Sequence, residues 1–227
     1  MPMISAILFD LDGTLVDTVP LYEKNYKECL RHFGVEDVSS EDFFAVFNTN
    51  AQLFDYLDYF KVSREHEPAF RKMRDQNFVR LLSRDSQWLH HADQILADLE
   101  SRFPLGLVTG ARRIYVDAID SRLGIRRHFK SVLTVDDIGI EHRKPDPYGL
   151  LKACAELQAP PPQCLYVGDL LCDVQVARAA GMMSCLITQS SYTMDPSIPP
   201  DFCIENISQL SSAVLSSQSA KREDMEI

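Results

Sequence analysis

Two carboxylates, Asp10 and Asp12, stand two residues apart after the apolar run Ile4-Ser5-Ala6-Ile7-Leu8-Phe9, and Gly13-Thr14 follows at once. The run reads as a buried strand that breaks into a loop at the glycine. Paired carboxylates at the carboxyl end of such a strand repel each other and lose hydration, a cost that a cation or a proton offsets. In open α/β sheets that end is also where ligands bind. The pattern points to a metal site with one carboxylate as nucleophile and a second that carries protons.

Three further places carry chemistry. Thr109-Gly110 closes the short apolar run Leu105–Val108. Lys144 lies in His142-Arg143-Lys144-Pro145-Asp146-Pro147. Gly168-Asp169-Leu170-Leu171-Cys172-Asp173 follows another apolar run. A hydroxyl beside a glycine lets backbone and side chain approach an anion closely. A lysine on a proline-stiffened loop is a point charge. A second pair of acids offers more oxygen atoms to a hard cation.

The elements that must position these residues alternate. From Ala92 onward, helices over Asp93–Ser101, Arg112–Leu123, Pro147–Leu157 and Asp173–Ala180 are expected between strands over Leu105–Thr109, Ser131–Thr134, Cys164–Gly168 and Ser184–Ile187. Such alternation makes right-handed βαβ units and a parallel sheet with helices on both faces. The strand Ile4–Phe9 belongs to the same sheet.

Between Leu15 and Trp88 the rhythm is helical instead. Leu21, Tyr26, Cys29, Leu30 and Phe33 recur at three- and four-residue spacing, Gly34 ends that helix, and Ser39-Ser40-Glu41-Asp42 caps the next. The aromatic stripe from Phe43 to Phe60 reads as helix-packing core, and a third helix runs from Glu67 to Leu82. The expected architecture is therefore an α/β, Rossmann-like core domain over residues 1–15 and 89–215. An all-helical insertion over 16–88 interrupts it, and a polar, frayed tail spans 216–227.

The 227 residues suit one sizeable core with an insertion. Net charge is −10, from 33 acidic and 23 basic residues, which disfavours nonspecific nucleic-acid binding and anionic membranes but leaves room for a local anion site. No apolar run reaches the ~18 residues of a membrane span. The six cysteines form no C-x-x-C pair and read as reduced thiols. A cytoplasmic monomer or homodimer is expected.

In order and spacing, the four blocks resemble the four motifs of the haloacid dehalogenase superfamily of phosphohydrolases, the first being its DxDGT motif. The resemblance runs from Ile4 to about Ile187, and the helical insertion stands where subclass I members carry a C1 cap. Residues 10–18, Asp10-Leu11-Asp12-Gly13-Thr14-Leu15-Val16-Asp17-Thr18, look most like phosphoglycolate-phosphatase-like members.

The resemblance implies a role for each position. Asp10 would be the nucleophile that becomes an aspartyl phosphate, and Asp12 the acid and base for leaving oxygen and water. Mg²⁺ would be held by Asp10, the backbone carbonyl of Asp12 and Asp169, with Asp173 either a ligand or a support. Leu11, Thr109, Gly110 and Lys144 would meet the phosphate of a small phosphorylated metabolite. Leu170 stands where many relatives carry Ser or Thr.

An acid at Asp12 suits chemistry that must protonate an oxygen leaving group, which favours a phosphatase over a dehalogenase or phosphonatase. Tyr22 stands where β-phosphoglucomutase relatives usually carry His, which favours a hydrolase over a phosphomutase. A phosphomutase, a catalytically weak phosphate-binding or regulatory protein, and a partner-binding protein using the aromatic insertion remain the alternatives. Asn48, Thr49, Asn50 and Gln52 form a polar cluster between aromatic segments and are candidate specificity residues, or an ordinary interhelical turn. Tyr22 and Lys24 are further candidates.

Overall fold

A computed structural model describes residues 3–47, 53–188 and 197–214. The chain divides into two compact units, Met1–Asp17 with Gln87–Ile227, and Thr18–Ser86.

The first unit is built on a six-stranded, all-parallel sheet. Its strands are β1 (Ala6–Phe9), β2 (Leu105–Val108), β3 (Ser131–Leu133), β4 (Cys164–Gly168), β5 (Met183–Ile187) and β6 (Phe202–Ile204), in the order β3-β2-β1-β4-β5-β6. Every residue of β1, β2, β4 and β5 is buried. That is why these segments read as unbroken apolar runs rather than alternating ones. Ile7 pairs with Leu105 on one side and Leu165 on the other, so β1 lies inside the sheet, with its carboxyl end flanked by those of β2 and β4.

The second unit is helical: α1 (Val19–His32), α2 (Ser40–Phe47), α3 (Leu53–Tyr59) and α4 (Glu67–Asp85). Its core is aromatic. Tyr26 lies 4.2 Å from Tyr56 and 6.0 Å from Phe43 and from Phe70, measured between ring centroids. Ring pairs at these distances add to the area they bury. The Ser39 hydroxyl accepts from the backbone N–H of Asp42 (3.0 Å) and donates to the Asp42 carboxylate (2.6 Å), which starts α2 where the Ser-Ser-Glu-Asp pattern predicts it.

Back in the first unit the helices are α5 (Ala92–Glu100), α6 (Arg113–Leu123), α7 (Val135–Ile138), α8 (Tyr148–Glu156) and α9 (Leu171–Ala179). Among the described residues no helix is long and apolar enough to cross a membrane.

Three differences from the sequence reading have local causes. The edge strand β6 is three residues long and only its last residue is buried, too little for an apolar signal. The single turn α7 is started by Thr134, whose backbone N–H and hydroxyl both reach the Asp137 carboxylate (2.9 and 2.5 Å). The boundary between the units falls after Asp17 and before Gln87, because backbone pairing ties both connecting segments to the first unit. Asp17 N–H donates to Gln87 O (3.0 Å), Leu89 N–H to Leu15 O (2.9 Å), and Val16 bridges Trp88 antiparallel.

Candidate active site

The backbone places Asp10 first. Its N–H donates to Val167 O (2.9 Å), extending the ladder between β1 and β4 by one rung past Phe9, and the side chain is 6% exposed. The chain then closes a tight turn in which Leu15 and Val16 N–H both donate to Leu11 O (2.9 and 3.1 Å). Leu11 is thus a buried turn residue, and Asp12 is half-buried on the same turn. Gly13 has φ +76°, and a Cβ there would come within 2.6 Å of Asp169 Oδ2, so neither the conformation nor the space admits a side chain.

The acids of the β4–α9 loop face this turn. Thr14 Oγ1 donates to Asp169 Oδ1 at 2.9 Å, with both groups buried. Asp173, in the first turn of α9, accepts from Leu170 N–H on Oδ2 (2.9 Å) and from Lys144 Nζ on Oδ1 (2.7 Å). A Cβ at Gly168 would lie 2.4 Å from Asp173 Cγ, so the glycine admits the carboxylate beneath the loop. Lys144 also donates to Asp10 Oδ1 at 2.6 Å. The ammonium thus bridges two carboxylates and lies 5.1 Å from the centroid of the Tyr166 ring.

Thr109 follows β2 and is 1% exposed. Its N–H is held by Leu133 O (3.0 Å), and its hydroxyl accepts from Ala111 N–H (3.0 Å). Thr109, Gly110, His142, Arg143 and Lys144 line one small cavity. A side chain at Gly110 would meet no protein atom within 4 Å, so open space adjoins this loop.

Electrostatics explain why the cluster takes up a proton or a cation. Burial, helped by Asp173 and Asp12 and opposed by Lys144, pushes Asp10 from 3.8 up to about 7. Burial, with Asp10 and Asp173, pushes Asp169 up to about 8. Burial is also the largest influence on Lys144 and disfavours its charge, but Asp10 and Asp173 outweigh it and hold the ammonium charged. One lysine cannot balance three ionised acids, so the remainder is offset by a proton or by a cation. Carboxylate oxygens of Asp10, Asp169 and Asp173 lie within 4.8 Å of one another, and an all-oxygen donor set suits a hard divalent cation such as Mg²⁺.

The fold therefore gathers Asp10, Lys144, Asp169 and Asp173, with Asp12 on the Asp10 turn and Thr109-Gly110 lining a cavity with Lys144. Two other sequence candidates belong to the helical unit. Tyr22 lies on α1 in the aromatic cluster, 4.5 Å from Phe78 between ring centroids. Lys24 is exposed, 4.0 Å from Asp85. Asn48, Thr49, Asn50 and Gln52 lie outside the described residues.

Two contributors escaped the sequence reading. Thr14 binds Asp169, and Tyr166 both underlies Lys144 and donates its hydroxyl to Val108 O at 2.9 Å. The Thr14 hydroxyl supplies Asp169 with a hydrogen bond in a loop where Leu170 offers none from its side chain. A tyrosine within the run Cys-Leu-Tyr-Val-Gly was the available signal, because a buried phenol needs a partner.

The chain belongs to the haloacid dehalogenase-like hydrolases, whose family model matches residues 7–187. The pyrophosphatase PpaX of Anoxybacillus flavithermus is 31% identical over 210 residues, 91% of this chain and 95% of that protein. The phosphoglycolate phosphatase of Yersinia pseudotuberculosis is 28% identical over 183 residues, 78% of each chain. The solved structure of CbbY from Rhodobacter sphaeroides in complex with phosphate shares the fold. Its TM-score is 0.77 at 20% identity, covering 92% of this chain and 96% of that one. Within the family this protein is a phosphatase of the phosphoglycolate-phosphatase-like kind.

Proposed function

We propose that this phosphatase is a Mg²⁺-dependent phosphomonoesterase that hydrolyses a small phosphorylated metabolite in the cytoplasm through phosphorylated Asp10. The observation that carries the reading is the shared ammonium: Lys144 bridges Asp10 and Asp173 while Asp169 faces both acids.

Asp10, Asp169 and the backbone of the Asp10–Asp12 turn would hold Mg²⁺, which when bound neutralises phosphoryl oxygens. Asp173 has both oxygens committed, to Lys144 and to Leu170 N–H, and so supports the site. An Asp10 oxygen attacks phosphorus, and the bond to the leaving oxygen breaks as Asp12 gives that oxygen its proton. Asp12, now a carboxylate, takes a proton from water. The resulting hydroxide attacks phosphorus, which releases inorganic phosphate and regenerates Asp10. Lys144 offsets charge on the phosphoryl oxygens, and the Thr109 hydroxyl and Gly110 N–H orient them.

All of these groups address the phosphoryl group that phosphomonoesters share. Discrimination between leaving groups therefore falls to the helical unit, with Asn48, Asn50 and Gln52 the residues to test. Phosphate release from a panel that includes 2-phosphoglycolate, sugar phosphates and pyrophosphate, with Mg²⁺ and with EDTA, tests the reading. Activity should vanish in EDTA and return with Mg²⁺. Turnover that persists in EDTA refutes the metal role.

A further inference from the structure

Tyr166 is the largest fully buried side chain of the described protein and stands in the middle of β4, opposite Leu8 of β1. An aliphatic residue would fill a strand interior without a polar atom to satisfy. Tyr166 instead makes two contacts, and each leads to a different part of the active site. Its hydroxyl reaches past β1, the strand between, to Val108 O on β2 (2.9 Å). Val108 directly precedes Thr109, whose N–H is held from the other side by Leu133 of β3 (3.0 Å). The root of the Thr109-Gly110 loop is thereby fixed by β3 on one flank and by Tyr166 on the other.

The second contact is with Lys144, whose Nζ lies 5.1 Å from the ring centroid. An ammonium has three N–H donors, and two of them go to Asp10 and Asp173. The electron-rich ring face attracts the cation beside its two carboxylate bonds and so helps to hold the lysine in the site.

We propose that Tyr166 is a positioning residue for phosphoryl transfer: its ring holds Lys144 and its hydroxyl holds the Thr109-Gly110 phosphate loop. The inference rests on the phosphatase mechanism above and adds a residue to it. The two halves of the side chain have separable effects. The hydroxyl governs how well phosphate is bound, and the ring governs the chemical step.

The test compares Tyr166→Phe, Tyr166→Met and wild type as full-length proteins, by kcat, KM and the affinity for inorganic phosphate in Mg²⁺. Tyr166→Phe keeps the ring and loses one hydrogen bond. KM should rise and phosphate affinity fall by about 5-fold, with a smaller change in kcat. Tyr166→Met fills the volume without a π face, and kcat should fall by about 10-fold or more in addition. A purely structural tyrosine would lower the melting temperature of both variants and leave kcat, KM and phosphate affinity of the folded protein at wild-type values. That result overturns the proposal. If Tyr166→Met does not fold, unchanged phosphate affinity in Tyr166→Phe overturns it alone. Wild-type turnover is the control for the mechanism itself. Should it be absent, the phosphatase mechanism falls, while phosphate affinity still reports on the contact between Tyr166 and Val108.

Discussion

Thr14 and Asp169 lie 155 residues apart in the chain and share a buried hydrogen bond of 2.9 Å. The bond joins the turn after β1 to the loop after β4, so the two halves of the acidic cluster are locked by a side chain rather than by backbone alone. Leu170, the next residue, has no hydroxyl to add. Thr14→Val, which keeps shape and removes the bond, should weaken Mg²⁺ activation by about 10-fold or more with a folded protein. A Mg²⁺ titration of the initial rate decides it, and an unchanged midpoint counts against the role of Thr14.

The nucleophile has a sharper test. Asp10→Asn presents an amide that cannot displace a phosphoryl leaving group, while the backbone bond from residue 10 to Val167 O remains. Turnover should drop to background with the circular dichroism spectrum intact. Aluminium or beryllium fluoride with Mg²⁺ should bind the wild type at Asp10 as a phosphoryl mimic. Retained turnover in pure Asp10→Asn protein ends the covalent mechanism.

The acids also predict how stability follows pH without metal. Asp10 sits at about 7 and Asp169 at about 8 in the fold, both against 3.8 when unfolded. Between these limits the folded state binds more protons than the unfolded one. The stabilisation is complete below the unfolded value and is lost as pH rises through the folded values. Melting of EDTA-treated protein should therefore fall from about pH 5 to about pH 8, more steeply for wild type than for Asp10→Asn. Added Mg²⁺ should raise the melting temperature more at the higher pH, because metal competes with protons for the carboxylates. Equal slopes for the two proteins would show that Asp10 is not the titrating group.

Specificity is expected in the helical unit. Asn48→Ala, Asn50→Ala or Gln52→Ala should change kcat/KM ratios between phosphate esters by about 10-fold. Lys144→Ala should lower every substrate together. If the ratios hold, specificity lies elsewhere, and Tyr22 and Lys24 are the next residues to substitute.

Much of the site was legible because chemistry and secondary structure end at the same residues. Asp10, Thr109 and Asp169 each follow a run of fully buried residues, and a strand end leaves the next side chain no freedom of placement. Thr14 and Tyr166 were hidden because their value lies in distant partners, and no spacing along a chain encodes a contact between β4 and β2. The helix α9 starts at Leu171 rather than at Asp173, since Asp173 turns back to the N–H of Leu170 and belongs to the first turn. The edge strand β6 is too short and too exposed to leave an apolar pattern, and the single turn α7 is marked only by its Thr134–Asp137 cap.

The interior position of β1 bears on the order in which this protein assembles. Its neighbours β2 and β4 are synthesised long after it, and β4 supplies the backbone partner of Asp10 itself. A nascent chain that ends before Gly168 has its nucleophile but neither Asp169 nor Asp173, and the strand that carries Asp10 lacks one flank. The helical unit Thr18–Ser86 lies in the chain between β1 and β2, so the whole of it is synthesised before β1 has either neighbour. Catalytic competence is thus gained only after β4 and its loop have been made, when the last acids reach the first.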